Sequence, residues 1–184
     1  MTVPGLRYIP DWLPAAETAR LLAAVDTAEW DDTLRRRVQH YGHRYDYGSR
    51  RVTTTRPAPP MPEWVTGVLD RLVSEGHMAR PDQLIVNEYA PGQGISAHVD
   101  HVSGFGPVVA SISTGSRCDM DFTHPGTGAK QTVTLDPGGL CLMTGEARYT
   151  WRHGIAARRT DPSRHGRIPR GRRVSLTFRT VAAG

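Results

Sequence analysis

The sequence predicts a mostly β fold with N-terminal helices, of the double-stranded β-helix or jelly-roll kind (α+β by class). Three observations carry this. Helical periodicity is confined to the first half of the 184 residues. From Leu84 onward, about eight short apolar or alternating segments are separated by Gly, Pro or polar turns at roughly eight- to twelve-residue intervals. Gly (19) and Pro (14) are plentiful, which suits a turn-rich double sheet better than a helical bundle. The length supports one domain with a proper core, and no long linker, low-complexity tract or internal repeat divides it. The expected layout is a single domain, 1–184, with N-terminal helices over 1–80 and a jelly-roll core over 81–184.

Leu13–Trp30 is the first expected helix. Pro14 fits the first helical position, where its missing N–H costs nothing. Thr18, Leu21, Leu22, Val25 and Ala28 then recur at the spacing of a buried stripe. Trp30–Arg56 has no helical period, and Val38, His40 and Gly42 alternate as in a ragged hairpin. There Arg interleaves with Tyr41, Tyr45 and Tyr47, the combination a base-stacking and phosphate-binding surface uses. A loop whose tyrosines simply pack is the alternative. After the break RPAPPMP, a second helix is expected over Pro62–Glu75, with Val65, Val68, Leu69 and Leu72 buried and Gly76 at the residue past its end. Strands are expected over Leu84–Tyr89, Ile95–Asp100, Val108–Ser113, Asp119–Phe122, Thr132–Leu135, Leu140–Met143, Tyr149–His153 and Val174–Val181.

Composition narrows the function classes. No apolar run reaches the ~18 residues of a membrane span, and MTVPGLRYIPDWL lacks the basic start and apolar core of a secretory signal. Cys118 and Cys141 form no CxxC pair; they are expected to be reduced, buried and structural in a cytoplasmic protein. Two cysteines are too few for a zinc ribbon. The net charge of +5 comes from Arg rather than Lys, clustered at Arg35–Arg37, Arg50–Arg51 and from Arg158 to Arg173. That balance suits a polyanion such as nucleic acid; an Arg-rich, high-GC proteome gives the same signature. No obligate protein partner is evident.

The segment LIVNEYAPGQGISAHVD, residues 84–100, organises the chemistry. Alternation puts Asn87 and Tyr89 on one strand face, and His98 and Asp100 on one face. An imidazole beside a carboxylate supplies two ligands of a 2-His-1-carboxylate triad, which binds non-haem Fe(II) and leaves positions open. A surface His beside a solvated Asp is the competing reading. His153, in RYTWRHGI, is the distant His that completes three ligands. In GRRVSLTFRTV, Val174, Leu176 and Phe178 point one way and Arg173, Ser175, Thr177 and Arg179 the other. Two Arg on one face, directed into a sandwich interior, require an anion, and a dicarboxylate co-substrate answers that through bidentate guanidinium contacts. An edge strand with both Arg in solvent is the alternative.

With these residues assembled, the sequence resembles the AlkB family of Fe(II)/2-oxoglutarate dioxygenases. NEYAPGQGISAHVD, PVVASISTGS, MTGEARYTWRHGI and RRVSLTFR occur in the family's order and cover most of residues 35–181. VQHYG and TGEARYTWRHGI look like the branch that includes a tRNA wobble-uridine hydroxylase. The resemblance implies Fe(II) on His98, Asp100 and His153, with 2-oxoglutarate and O2 as co-substrates. It implies that Arg173 clamps the distal carboxylate of 2-oxoglutarate, that Arg179 lies near the keto-acid end, and that Asn87, Tyr89 and Ser175 complete the pocket. It makes the N-terminal Arg/Tyr segment a nucleotide-recognition lid, with His40, Tyr41 and Arg44 as substrate contacts. His101 is expected beside the ligands rather than among them. The founding family member has an acidic base-reading residue where this chain has Val102, so a preference for methylated adenine and cytosine does not carry over simply.

The function expected on this resemblance is oxidative dealkylation of methyl or etheno bases in DNA or RNA, a DNA-repair type of activity. Three other readings stand beside it. One is tRNA uridine hydroxylation, against which the lack of an added RNA-recognition or methyltransferase domain counts. Another is a dioxygenase of protein or small molecules. The last is a basic nucleic-acid-binding module with a vestigial site.

Overall fold

A computed structural model describes residues 2–46, 48, 51–53 and 57–182, and the expected lid residues Tyr47 and Arg50 lie outside them. In chain order the elements are β1 (Leu6–Ile9), α1 (Ala15–Asp26), β2 (Val38–Tyr41), β3 (Arg44–Asp46), β4 (Arg51–Thr53), a single 3-10 turn at Glu63–Val65 and α2 (Thr66–Ser74). They continue as β5 (Gln83–Tyr89), β6 (Ile95–His98), β7 (Phe105–Gly115), β8 (Cys118–Thr123), β9 (Lys130–Leu135), β10 (Leu140–Met143) and α3 (Gly145–Tyr149). The chain closes with β11 (Arg152–Ile155), β12 (Thr160–Ser163), β13 (Gly166–Pro169) and β14 (Arg173–Val181). A six-stranded antiparallel sheet, ordered β1-β10-β7-β14-β5-β2, faces a four-stranded sheet, β6-β11-β8-β9. The fold is the mostly β jelly roll expected from the sequence.

The two faces of β14 explain how the layers assemble. Val174, Leu176 and Phe178 join Leu84, Val86, Ala110, Ile112, Leu140 and Leu142 in a core that α1 and α2 cover with Leu21, Val25, Val68, Leu69 and Leu72. The opposite face of the large sheet contributes Tyr89, Val109, Cys141 and Met143 to a second core between the sheets, closed by Cys118, Met120, Phe122, Trp151 and Ile155. Both cysteines are free and buried, as expected. Arg173, Ser175, Thr177 and Arg179 also face this interior, and all four are buried. The helical stripes hold at Thr18, Leu21 and Val25 and at Val68, Leu69 and Leu72. Gly76 takes φ +71 past the end of α2.

Several boundaries differ from expectation. The first helix is Ala15–Asp26, with Pro14 as its extended N-cap, and it stops four residues early, where the Thr27 hydroxyl donates to the Ala24 carbonyl. The division at residue 80 fails for the large sheet, because β1 pairs with β10 and β2 pairs with β5. Val38–Tyr41 is therefore not half of a local hairpin; the long-range ladder to β5 captures it. The hairpin of this region is β3–β4.

Two further departures bear on the site. Tyr149–His153 is not one strand: Gly145–Tyr149 forms a helical turn, with the Thr150 and Trp151 N–H groups donating to the Glu146 carbonyl. Tyr149, Trp151 and His153 consequently do not share a strand face. The sixth strand ends at His98, so Asp100 reaches the site from the loop beyond it.

Candidate active site

His98 and His153 meet because β6 pairs antiparallel with β11, with His153 opposite His98 and ring centroids 4.5 Å apart. Gly154 makes that closeness possible. A Cβ there would lie 2.9 Å from the Ala97 Cα and N, so a larger residue would push the two strands apart. Asp100 turns back from the loop to place Oδ1 3.5 Å from His98 Nε2. One donor atom from each of the three residues lies within 4.8 Å of the others.

The protonation pattern suits a cation. His98 Nδ1 lies 2.8 Å from the Ser96 carbonyl, which only accepts, so Nδ1 donates there and the ring directs Nε2 toward Asp100 Oδ1. A cation shared between that nitrogen and the carboxylate would suit this arrangement. Burial lowers the pKa of His153 to about 4, keeping the imidazole neutral and able to ligate. Its Nδ1 is buried without a hydrogen-bond partner among the described residues. Burial opposes ionisation of Asp100, but Arg179 and the two histidines prevail and hold its pKa well below the usual carboxylate range. Two imidazoles and one carboxylate, with no thiolate, fit non-haem Fe(II).

Arg179 and Arg173 lie six residues apart on β14, both buried, and are partnered differently. Arg179 donates from Nε and Nη2 to both Asp100 oxygens at 3.1–3.2 Å, and its Nη1 reaches Gln83 Oε1 at 3.4 Å. Its carboxylate is therefore the triad's own. Arg173, only 3% exposed, makes one hydrogen bond, Nη2 to Ser113 Oγ at 2.8 Å. It lies 5.3 Å from the centre of the Tyr89 ring, and its Nε and Nη1 have no partner among the described residues. A desolvated guanidinium with two idle donors calls for an anion, and a carboxylate fits that demand. Tyr89 and Asn87 pair in register with Arg173 and Ser175. Asn87 Oδ1 also accepts from Arg36 Nε at 3.1 Å, tying the N-terminal arginine segment to this wall.

A cleft of about 1230 Å³ is lined by His98 and Asp100, with Arg35, Arg36, Asp121, Lys130 and Arg152 also on its walls. Tyr45 also lines it and packs its ring on Phe105 at 5.7 Å. The other expected substrate residues are placed differently. Tyr41 is 8% exposed, belongs to the helix-side core, and donates its hydroxyl to Gln39 Oε1. His40 is buried in β2, and burial lowers its pKa to about 4. Arg44 is held by Asp31 at 2.6 Å. Tyr41 and His40 are thus corrected to structural positions: pairing of β2 with β5 buries them. His101 is not among the converging donors; its ring sits against Gly104. Val102 is 54% exposed.

Sequence reasoning missed Arg148. Its guanidinium is 2% exposed and donates to main-chain carbonyls of Asp100 and His101 at 3.0 Å, Gly106 at 3.3 Å and Phe105 at 3.4 Å. One side chain on α3 thereby pins the loop that carries Asp100. No sequence signal marks it, since its role depends on a helical turn and on carbonyls more than forty residues away in the chain. Replacing Arg148 with Ala leaves these carbonyls unpaired at about 1–3 kcal/mol for each buried group, so a markedly lower Tm is expected. Arg148→Lys keeps the charge but cannot span the fan of acceptors. It should fold and bind Co(II), a spectroscopic substitute for Fe(II), at least tenfold more weakly. Wild-type Co(II) affinity in that variant would show that the loop is held by other contacts.

The model of a family described as the 2OG-Fe(II) oxygenase superfamily matches residues 5–179. A protein of Arabidopsis thaliana named alkylated DNA repair protein ALKBH8 homolog is 35% identical over 98% of this chain and 59% of its own length. The mouse tRNA (carboxymethyluridine(34)-5-O)-methyltransferase ALKBH8 is 37% identical over 97% of this chain and 30% of its own. This chain thus spans less than two thirds of the length of these relatives. A Caenorhabditis elegans DNA N6-methyl adenine demethylase is 27% identical over 98% of this chain and 61% of its own length. Among solved structures, OsALKBH1 superposes with a TM-score of 0.72 at 18% identity, covering 98% of both chains. A Pseudomonas putida prolyl-4-hydroxylase superposes with a TM-score of 0.62 at 17% identity, covering 98% of this chain and 94% of its own. These two likenesses speak to the jelly-roll fold.

Proposed function

This chain belongs to the 2OG-Fe(II) oxygenase superfamily and, within it, to the AlkB family, and from that premise we propose that it oxygenates a modified base of a nucleic acid, with a tRNA uridine as the first target class. It is a dioxygenase that uses Fe(II), 2-oxoglutarate and O2. The observation that carries the substrate reading is the cleft, whose lining brings Arg35, Arg36 and Arg152, and Lys130 paired with Asp121, around His98 and Asp100. Such a mouth suits a base delivered on a phosphate backbone.

In this reading His98, Asp100 and His153 hold Fe(II). Arg173 takes the distal carboxylate of 2-oxoglutarate with its idle donors, while Asn87, Tyr89 and Ser175 line the pocket between. Arg179 keeps Asp100 ionised and oriented and lies at the keto-acid end. Bound together, the metal, the keto acid and oxygen supply a strong oxidant and leave succinate and carbon dioxide. The residues around them orient and exclude. Ser96 fixes the His98 ring, Arg148 fixes the Asp100 loop, and Phe105, under Tyr45 and Arg179, keeps the floor apolar. Tyr45 offers a ring face for stacking, and Arg35 and Arg36 offer phosphate contacts. A base in a duplex must be flipped out to reach them.

The uridine reading is supported by the mouse relative's named tRNA substrate and by Val102, an exposed apolar residue where the founding AlkB protein reads its damaged base with an acid. Dealkylation is the second reading, favoured by the names of the Arabidopsis and nematode relatives. The two differ in exit chemistry. Hydroxylation of an N-methyl carbon gives a hemiaminal that loses formaldehyde, whereas hydroxylation of a carbon-bound group stops at a stable alcohol. Purified protein with Fe(II), ascorbate and 2-oxoglutarate should therefore be offered tRNA and a panel of methylated and etheno oligonucleotides, with each nucleoside followed by mass spectrometry. Gain of one oxygen on a tRNA uridine is the expected result. Loss of a methyl or etheno group would establish repair-type dealkylation instead. Succinate formation with no change in any nucleoside would overturn the nucleic-acid reading.

A further inference from the structure

The arginines between Ala156 and Arg170 have no part in this chemistry. That stretch holds five Arg, one His and a single carboxylate, Asp161. It folds as the β12–β13 hairpin, a two-stranded sheet of its own. Four-residue strands in isolation are not stable, and this pair is fastened at its base. Asp161, 3% exposed, receives Arg170 Nε and Nη2 at 2.7 Å and Arg158 Nε at 2.8 Å. Arg158 Nη2 continues to Asp119 on β8 at 3.3 Å, and Arg170 Nη1 reaches the Ala156 carbonyl at 2.7 Å. The hairpin's only carboxylate is consumed in this anchor. Arg159, Arg164, His165 and Arg167 are left exposed on a fixed frame, with Arg167 braced against Thr160 by Nε to Oγ1 at 2.6 Å.

The hairpin is also joined to the cleft. The turn between β5 and β6 touches both: a Cβ on Gly92, which has φ +93, would lie 3.7 Å from Arg159 Cγ, and Gln93 Nε2 donates to the Arg35 carbonyl at 2.7 Å. Gly92, Gln93, Ala156 and Ala157 all line the cleft. Positive side chains therefore run from Arg35 and Arg36 at the cleft, across this turn, to Arg159 and on to Arg164 and Arg167. A merely solvating charged loop needs no buried ion-pair anchor, whose desolvation is costly. Rigid presentation of spaced charges does, because it lowers the ordering entropy lost on binding.

We propose that this strip carries the phosphodiester backbone of the nucleic-acid substrate away from the cleft, so that nucleotides flanking the target base cross the β5–β6 turn and lie on the β12–β13 hairpin. The inference rests on the nucleic-acid reading above and adds where the chain runs. It makes recognition length-dependent: a trinucleotide reaches the cleft alone, whereas a tRNA or long single strand also reaches the hairpin.

The test is equilibrium binding of the full chain to tRNA, a long single-stranded RNA and a trinucleotide over a salt series. Wild type is compared with Arg159→Gln/Arg164→Gln, with the triple variant that adds Arg167→Gln, and with the Lys counterparts of both. Each lost phosphate contact should lower the slope of log affinity against log salt by about 0.7 for a single strand, hence by about 2 in the triple variant. Affinity for the long RNAs should fall at least tenfold and Lys should restore it, since a point charge suffices for phosphate. Trinucleotide binding and nucleic-acid-independent succinate formation should not move. Wild-type slopes and affinities in both Gln variants would overturn the proposal. So would phosphatidylserine vesicles that bind as tightly as RNA and are lost to the same extent, which would assign the strip to a membrane surface. If the wild type binds no nucleic acid of any length, it is the substrate reading that fails.

Discussion

Replacing Asp100 with alanine is expected to abolish succinate formation from 2-oxoglutarate and to lower the stability of the metal-free protein as well. Two separate losses meet at this carboxylate. The first is the proposed third metal ligand: without it, two imidazoles remain, and the charge that favours a divalent ion is gone. The second is the anion that receives Arg179, whose Nε and Nη2 both point at Asp100. Removing one partner of a buried pair leaves an uncompensated charge, a cost of about 3–5 kcal/mol. Asp100→Asn separates the effects, since an amide oxygen still accepts from Arg179 while a neutral side chain is a poor third ligand. It should lose turnover as completely as the Ala variant but unfold closer to wild type. Because Arg179 and the histidines hold the folded-state pKa of Asp100 below its unfolded value of ~3.9, this stabilisation is complete above that pH and is lost only as pH falls through the folded pKa. Calorimetry at neutral pH therefore reads it in full. Retained turnover in the Ala variant would end the assignment of the metal to these three residues.

Arg173→Ala should raise the 2-oxoglutarate concentration needed for half-maximal turnover by about thirtyfold or more, the order of 2–5 kcal/mol expected when one partner of a buried charge pair is truncated. Its effect on stability should run opposite to that of Asp100. Without co-substrate, Arg173 is a desolvated cation with Nε and Nη1 idle, so its removal should leave the Tm of the ligand-free protein unchanged or raised. The stabilisation that wild type gains from 2-oxoglutarate, which grows as RT ln(1 + [L]/Kd), should disappear. Co(II) affinity in the absence of 2-oxoglutarate should stay at the wild-type level, because Arg173 makes no contact with the three converging residues. A variant that keeps its wild-type response to 2-oxoglutarate in both turnover and melting would place the distal carboxylate elsewhere.

How much of this was legible beforehand depends on the range of the interactions involved. The last strand was read correctly because strand alternation is local: any sheet that buries Val174, Leu176 and Phe178 on one face must present Arg173, Ser175, Thr177 and Arg179 on the other. The helical stripes were legible for the same reason. The strand expected over 149–153 is interrupted because Gly145–Tyr149 closes a helical turn, with the Thr150 and Trp151 N–H groups donating to the Glu146 carbonyl, so the strand starts only at Arg152. His40 and Tyr41 read as surface recognition residues because their polarity is a local property. Their burial comes from β2 pairing with β5 more than forty residues away, a contact no short window contains.

The sequence by itself determined the jelly-roll class, the set of three donors and the presence of two interior arginines, since periodicity, turn chemistry and residue type act over a few neighbours. Only the tertiary structure decided the rest. It showed that Arg179 spends its charge on Asp100 while Arg173 keeps two donors idle, that Arg148 holds the Asp100 loop through main-chain carbonyls, and that the arginine hairpin adjoins the cleft through Gly92 and Gln93. Each of these is a matter of which groups are desolvated together, and desolvation is fixed by the packing of distant segments rather than by their order in the chain.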